Sequence, residues 1–132
     1  MYNCIAGNIY SIYVDIPNNP LRNLNAYLVK GSDRNLLIDT GFNFKICRVW
    51  LERGLGELGV SMDSTDIFLT HFHADHSGLA AELAGRDTKI FISETDESFW
   101  RFFSSDVGAK TPLKTISGGA FRRRSWLPRC AR

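Results

Sequence analysis

All three histidines of this chain fall within six positions, inside the stretch Leu69–Gly78, LTHFHADHSG, and Asp75 lies between the second and third. Directly before the cluster, Asp66–Thr70 (DIFLT) is a short apolar run suited to a buried strand. Directly after it, Ser77 is placed to cap a short helix, with Leu79, Ala80, Leu83 and Ala84 facing inward and Gly85 ending it. The cluster therefore marks the point where a buried strand gives way to a helix. In open α/β sheets ligand sites form at that carboxyl end of a strand. The feature restricts the fold to one that buries the strand and frees the turn.

The rest of the chain follows the same grammar. Asn8–Val14 and Leu24–Val29 read as strands, separated by the loop sequence Ile16–Pro20 (IPNNP). Asn35–Thr40 (NLLIDT) reads as a third strand, paired with the second through a Gly-Ser-Asp turn at 31–33. Phe44, Cys47, Leu51, Leu55 and Leu58 then recur at helical spacing, with Asn43 placed to cap and Gly59 to stop. Gly54 and Gly56 weaken that helix, which must draw its stability from packing. Lys89–Ser93 reads as a strand, and Ser93 with Asp96 forms a capping-box pattern before the apolar helix carrying Phe99, Trp100, Phe102 and Phe103. The predicted order, β-β-β-α-β-(cluster)-α-β-α, is an α/β layered domain.

Composition narrows the class. With 132 residues, 44% hydrophobic and 23% charged, the chain is an ordinary globular one. No run approaches the ~20 apolar residues of a membrane helix, and the start lacks the basic and apolar regions of a secretory signal. Cys4, Cys47 and Cys130 are odd in number and far apart, against a disulfide framework or a cysteine zinc site. A cytoplasmic location is the expectation. Charge is uneven: residues 1–106 hold all 14 acidic side chains, whereas 107–132 hold 7 of the 16 basic ones and no acid. The chain is an acidic body with a basic tail.

Imidazole and carboxylate are the usual ligands of zinc and neighbouring divalent metals in hydrolytic sites. In an extended segment, side chains two apart point the same way, so His71 and His73 can reach one ion together. A turn after Ala74 can swing Asp75 and His76 toward a second ion about 3.5–4 Å away, a spacing at which two ions share one water and aim it as hydroxide. A lone histidine would read as an ordinary core or surface residue. Three with an aspartate on a strand-to-helix turn read as a metal site.

Thr70–Gly78 (THFHADHSG) resembles the HxHxDH signature of the metallo-β-lactamase-fold hydrolases. Leu37–Gly41 (LIDTG) resembles that family's earlier Asp-Thr-Gly element, and Asn25–Leu28 (NAYL) its second strand; the likeness runs from about residue 8 to residue 104. Leu79 departs from the second glycine that many members carry. The resemblance implies His71 and His73 on a first metal, Asp75 and His76 on a second, zinc or another divalent ion in both, and Asp39 in support nearby. Asp39 reads equally well as a turn residue closing its strand. In parts of the family the motif aspartate also moves protons, which makes Asp75 the catalytic candidate. The implied reaction is attack of a metal-bound hydroxide on an ester, thioester, lactone, amide or phosphodiester of a small-molecule substrate. The short lead-in is most similar to the glyoxalase II-like and lactonase-like members.

The family fold is an αββα sandwich of two similar halves, with ligands from both. This chain has no histidine after His76, and Asp87, Asp96 and Asp106 match no later ligand context. It therefore resembles the N-terminal half, residues 1–106, with its open sheet face a hazard that self-association would relieve. The Arg-rich sequence from Ala120 onward suggests that the chain is truncated near 115–120 and continues in unrelated, non-native or disordered sequence. The alternative function is an inactive half-domain with weak metal binding or a protein-interaction role. Arg122–Arg124 with Trp126 reads first as a solvated tail and only weakly as a nucleic-acid contact.

Overall fold

The structure is a computed structural model that describes residues 1–104 and 113–116, with side chains described through Phe99. Seven strands form one sheet in sequential order: β1 (Tyr2–Ala6), β2 (Ile9–Asp15), β3 (Asn23–Val29), β4 (Asn35–Ile38), β5 (Thr65–Phe68), β6 (Ile90–Ser93) and β7 (Leu113–Ile116). β1 to β4 run antiparallel to their neighbours, and β4 to β7 are parallel. Between the parallel strands lie α1 (Lys45–Glu57), a 3-10 turn at Met62–Ser64, α2 (Ala74–Ser77), α3 (Ala80–Leu83) and α4 (Glu94–Ser104). The α/β layered class expected from the sequence holds.

Alternation decides which sheet face is covered. Ile12, Val14, Ala26, Leu28, Leu37, Ile67, Leu69, Ile90 and Ile92 are fully buried in one cluster with Leu51 and Leu55 of α1 and with Leu79, Ala80 and Leu83. In register on the opposite face lie Tyr27, Ile38, Phe68 and Phe91. Burying the side chains of the first face supplies most of the driving force, at about 1.5–3 kcal/mol for each large aliphatic residue.

Several local expectations need correction. β1 escapes the sequence reading because all five of its residues are exposed and no apolar face alternates. It exists as the edge partner of β2, joined by the two-residue turn Gly7-Asn8, where Gly7 takes a φ of 54°. β7 is likewise unexpected, since the sequence reading places residues 107–132 in a basic tail; the rest of that segment lies outside the described residues.

Asn43 does not cap α1: Phe44 holds the N-cap position without a side-chain bond and is exposed, not in the core. Gly59, with φ of 66°, does end that helix as expected. Ser77 does not start a helix either. It lies inside α2, and its hydroxyl donates to the carbonyls of Phe72 (2.7 Å) and His73 (3.1 Å). The helix starts three residues earlier because the chain turns straight after His73. The Ser93–Asp96 capping box is present in one arm: the Asp96 amide donates to Ser93 Oγ at 3.1 Å, while the Asp96 carboxylate accepts from the Ser93 hydroxyl. Trp100, Phe102 and Phe103 have side chains outside the described residues.

Candidate metal centre

β5 ends at Phe68, and the next eight residues carry every candidate donor. Thr70 to His73 continue outward from the strand, and the chain then folds into α2 with His73 at its N-cap position. The rings of His71 and His73 lie 4.7 Å apart and those of His71 and His76 4.1 Å apart, so the three imidazoles form one cluster. Asp75 Oδ2 lies 3.4 Å from His76 Nε2. Two ligands of one tetrahedral ion, each about 2.0–2.1 Å from it, are separated by roughly that distance.

Asp39 anchors the cluster from beneath. The chain leaves β4 at Ile38 and turns sharply, with Asp39 at a φ of 57°, a left-handed conformation that aspartate adopts more readily than most residues. That turn ends the strand before the predicted Thr40 and puts a buried carboxylate under the loop. Its Oδ1 accepts from the Thr70 amide (2.8 Å), and the Thr70 hydroxyl lies 3.0 and 2.8 Å from its two oxygens. His76 Nδ1 lies 2.8 Å from Oδ2. Asp39 thus closes its strand with a turn and is hydrogen-bonded to Thr70 and His76 of the loop.

A carboxylate only accepts, so the 2.8 Å contact with Asp39 calls for a hydrogen on His76 Nδ1, while His76 Nε2 faces a second carboxylate, Asp75. The Thr70 hydroxyl, lying between the Asp39 oxygens and His71 Nδ1 at 3.0 Å, links His71 to the same carboxylate. Asp39 thus engages the Nδ1 side of two histidines, directly and through one hydroxyl. Thr70 has no role in the sequence reading; only its position beside His71 hinted at one.

The loop is seated by backbone contacts. The Thr40 amide and hydroxyl both donate to the His76 carbonyl, at 2.7 and 2.9 Å. A side chain at Gly78 would meet the Ala74 carbonyl at 2.5 Å and the Asn43 nitrogen at 2.7 Å, so glycine is needed for the helical turn to lie against the 41–43 segment.

His71, His73, Asp75 and His76 thus lie together on one loop, with the three rings in one cluster and Asp75 beside His76. Among the described residues no group of three or more His, Cys, Asp or Glu side chains is arranged to hold an ion. The donor chemistry fits divalent metals, and the donor number is that of a partial site.

The chain is a mixed-sheet α/β layer with a histidine-rich loop at the carboxyl end of a central parallel strand. Residues 20–114 match the metallo-beta-lactamase superfamily, and the chain belongs to that superfamily. A thioesterase, pkgB, of Emericella nidulans is 35% identical over 72 residues, which is 54% of this chain and 21% of that protein. A metallo-beta-lactamase family protein of Thermus thermophilus superposes with a TM-score of 0.63 at 30% identity, over 83% of this chain and 41% of that one. A single-residue mutant of a flavo di-iron protein from Thermotoga maritima shares the fold, with a TM-score of 0.72 at 21% identity over 95% of this chain and 34% of its own. The chain spans less than half the length of each. Among the described residues no helix is long and apolar enough to cross a membrane.

Proposed function

We propose that this chain carries the first ligand-bearing half of a metal-dependent hydrolase acting on an acyl substrate, with a thioester as the preferred class. The observation that supports this most is the contact pattern: Asp39 and Thr70 engage Nδ1 of His76 and His71, which leaves Nε2 of both rings as the nitrogen that would reach a metal. Metal-binding histidines are commonly oriented this way by a carboxylate behind them. In this reading His71 and His73 hold one ion, and Asp75 with His76 holds another. Zinc is the proposed metal, since imidazole and carboxylate suit it. A bound divalent ion supplies Lewis acidity, lowering the pKa of a water and polarising the acyl oxygen.

The chain's own residues then have distinct tasks. Asp39 keeps His76 and, through Thr70, His71 from rotating away. Asp75, part-buried at the rim of the cluster, is placed to hold or pass a proton. The preference for thioesters rests on the similarity to a thioesterase over 72 residues; lactones follow from the lactonase-like lead-in. A small-molecule substrate and a cytoplasmic setting belong to the same reading, and nucleic acid has no place in it.

A second reading has its own support. Among the described residues no group of three or more donors is arranged to hold an ion, and the chain spans only part of its relatives. An inactive half-domain that binds metal weakly, or that pairs with another copy through its uncovered sheet face, fits both facts. Metal content of the purified chain separates the readings. Stoichiometric zinc that is lost in both His71→Ala and His76→Ala, with hydrolysis of a thioester panel, supports the hydrolase. A folded chain without bound metal and without turnover supports the half-domain.

A further inference from the structure

Phe72, the residue between His71 and His73, lies against the first turns of α4. There it makes two contacts. Its ring stacks on Phe99 with centroids 5.1 Å apart and planes 18° from parallel. Its amide points at Asp96 Oδ1 over a long 3.4 Å, while the other Asp96 oxygen is held by the Ser93 hydroxyl. The Phe72 ring also touches the His73 imidazole edge-on at 4.8 Å. Phe99 is about half exposed, so its ring contributes little to the core, yet it lies against the one residue between two candidate ligands.

We infer that the start of α4 is a latch for the ligand loop: Asp96 and Phe99 are positioning residues that hold Phe72, and through it set the spacing and aim of His71 and His73. This inference rests on the metal-site reading above. Phe72 is bonded to both histidines and its ring lies against that of His73, so holding its ring and its amide restricts the backbone on either side. The paired contacts with Ser93 fix Asp96 at the helix start, so the loop is registered against the sheet through β6.

The test uses cobalt(II) as the probe with the full chain, comparing wild type, Asp96→Ala, Phe99→Ala and Phe99→Tyr. Phe99→Ala should weaken cobalt binding about tenfold and shift the visible d–d band, as loss of outer-sphere support typically does. Its urea midpoint without metal should stay at the wild-type value, because Phe99 is half exposed. Phe99→Tyr keeps the stack and should restore both affinity and band. Asp96→Ala should act in the same direction, with some loss of helix stability. Wild-type affinity and band in both alanine variants would overturn the latch. If wild type itself binds no cobalt, the metal reading fails separately. Amide exchange of Phe72 in the metal-free chain then decides: faster exchange in Asp96→Ala and Phe99→Ala supports the latch, and unchanged exchange refutes it.

Discussion

His76 Nδ1 and Asp39 Oδ2 lie 2.8 Å apart although 37 residues separate them in the chain. The contact joins the turn after β4 to the first helical turn after β5, the two segments that a parallel sheet brings side by side. Asp39→Asn removes the charge and turns one acceptor into a donor while keeping the backbone, because asparagine also tolerates a positive φ. Zinc affinity should fall about 10–100-fold. Asp39→Ala should lose the same affinity and also destabilise the fold, since alanine is strained at this φ. Competition with a chromogenic chelator reads the first effect and urea unfolding the second. Equal zinc affinity in Asp39→Asn and wild type would remove Asp39 from the site.

The loop's clustering was readable in the sequence because its donors are local: His71, His73, Asp75 and His76 lie within six positions, and the structure keeps their side chains together. Strand-forming runs such as Leu24–Val29 were readable for the same reason. The support beneath the site was not. Asp39 could be assigned only as turn or helper, because its partners Thr70 and His76 are distant in sequence and its left-handed φ is imposed by packing. Asn43 and Ser77 misled, since both are good caps placed one or more residues from where tertiary contacts start the helices. β1 carries no apolar alternation, and its only signal is the Gly7-Asn8 turn.

Two glycines of α1 look alike in sequence and differ in structure. A methyl group at Gly54 would lie 2.4 Å from Ile12 Cγ2, where α1 approaches the sheet, whereas Gly56 faces open space. Gly54→Ala should therefore cost about 1–3 kcal/mol from overpacking, despite its better helix propensity. Gly56→Ala should stabilise by about 0.5–1 kcal/mol. Urea midpoints of the two variants should move in opposite directions. A shared direction would mean that propensity, not the helix–sheet approach, governs α1.

Asp66 is nearly fully buried at the start of β5, where Arg34 Nη2 meets its Oδ1 at 2.8 Å and the Lys89 amide donates to the same oxygen at 3.1 Å. The same guanidinium donates to the carbonyls of Asp63 and Asp87, so it clamps the ends of three strands opposite the histidine loop. Arg34→Met strands the carboxylate and should cost about 3 kcal/mol. Adding Asp66→Asn removes the stranded charge while keeping an acceptor, and should recover part of the loss. A double-mutant cycle by urea unfolding measures this coupling. Additive effects would show that the pair acts as two independent groups.

Cys4 is exposed on the edge strand, and Cys47 is fully buried in α1, where desolvation pushes its thiol pKa up, partly offset by backbone hydrogen bonds. The thiolate is the reactive form. In a Cys130→Ser background, a chromogenic disulfide reagent at pH 8 should therefore label one thiol rapidly, and Cys4→Ser should abolish that phase. Cys47 should react only as the protein opens, at a rate that follows unfolding. The sign of the pH effect follows from the raised value. The native state keeps its proton where the unfolded thiol, with a pKa of about 8.5, begins to lose it. Cys47 thus contributes stability that is fully present below that pH and declines as pH rises toward the folded value. Wild type should lose stability between pH 8 and 10 relative to Cys47→Ala, once their difference at pH 7 is subtracted. A parallel decline in both would assign the loss to other groups.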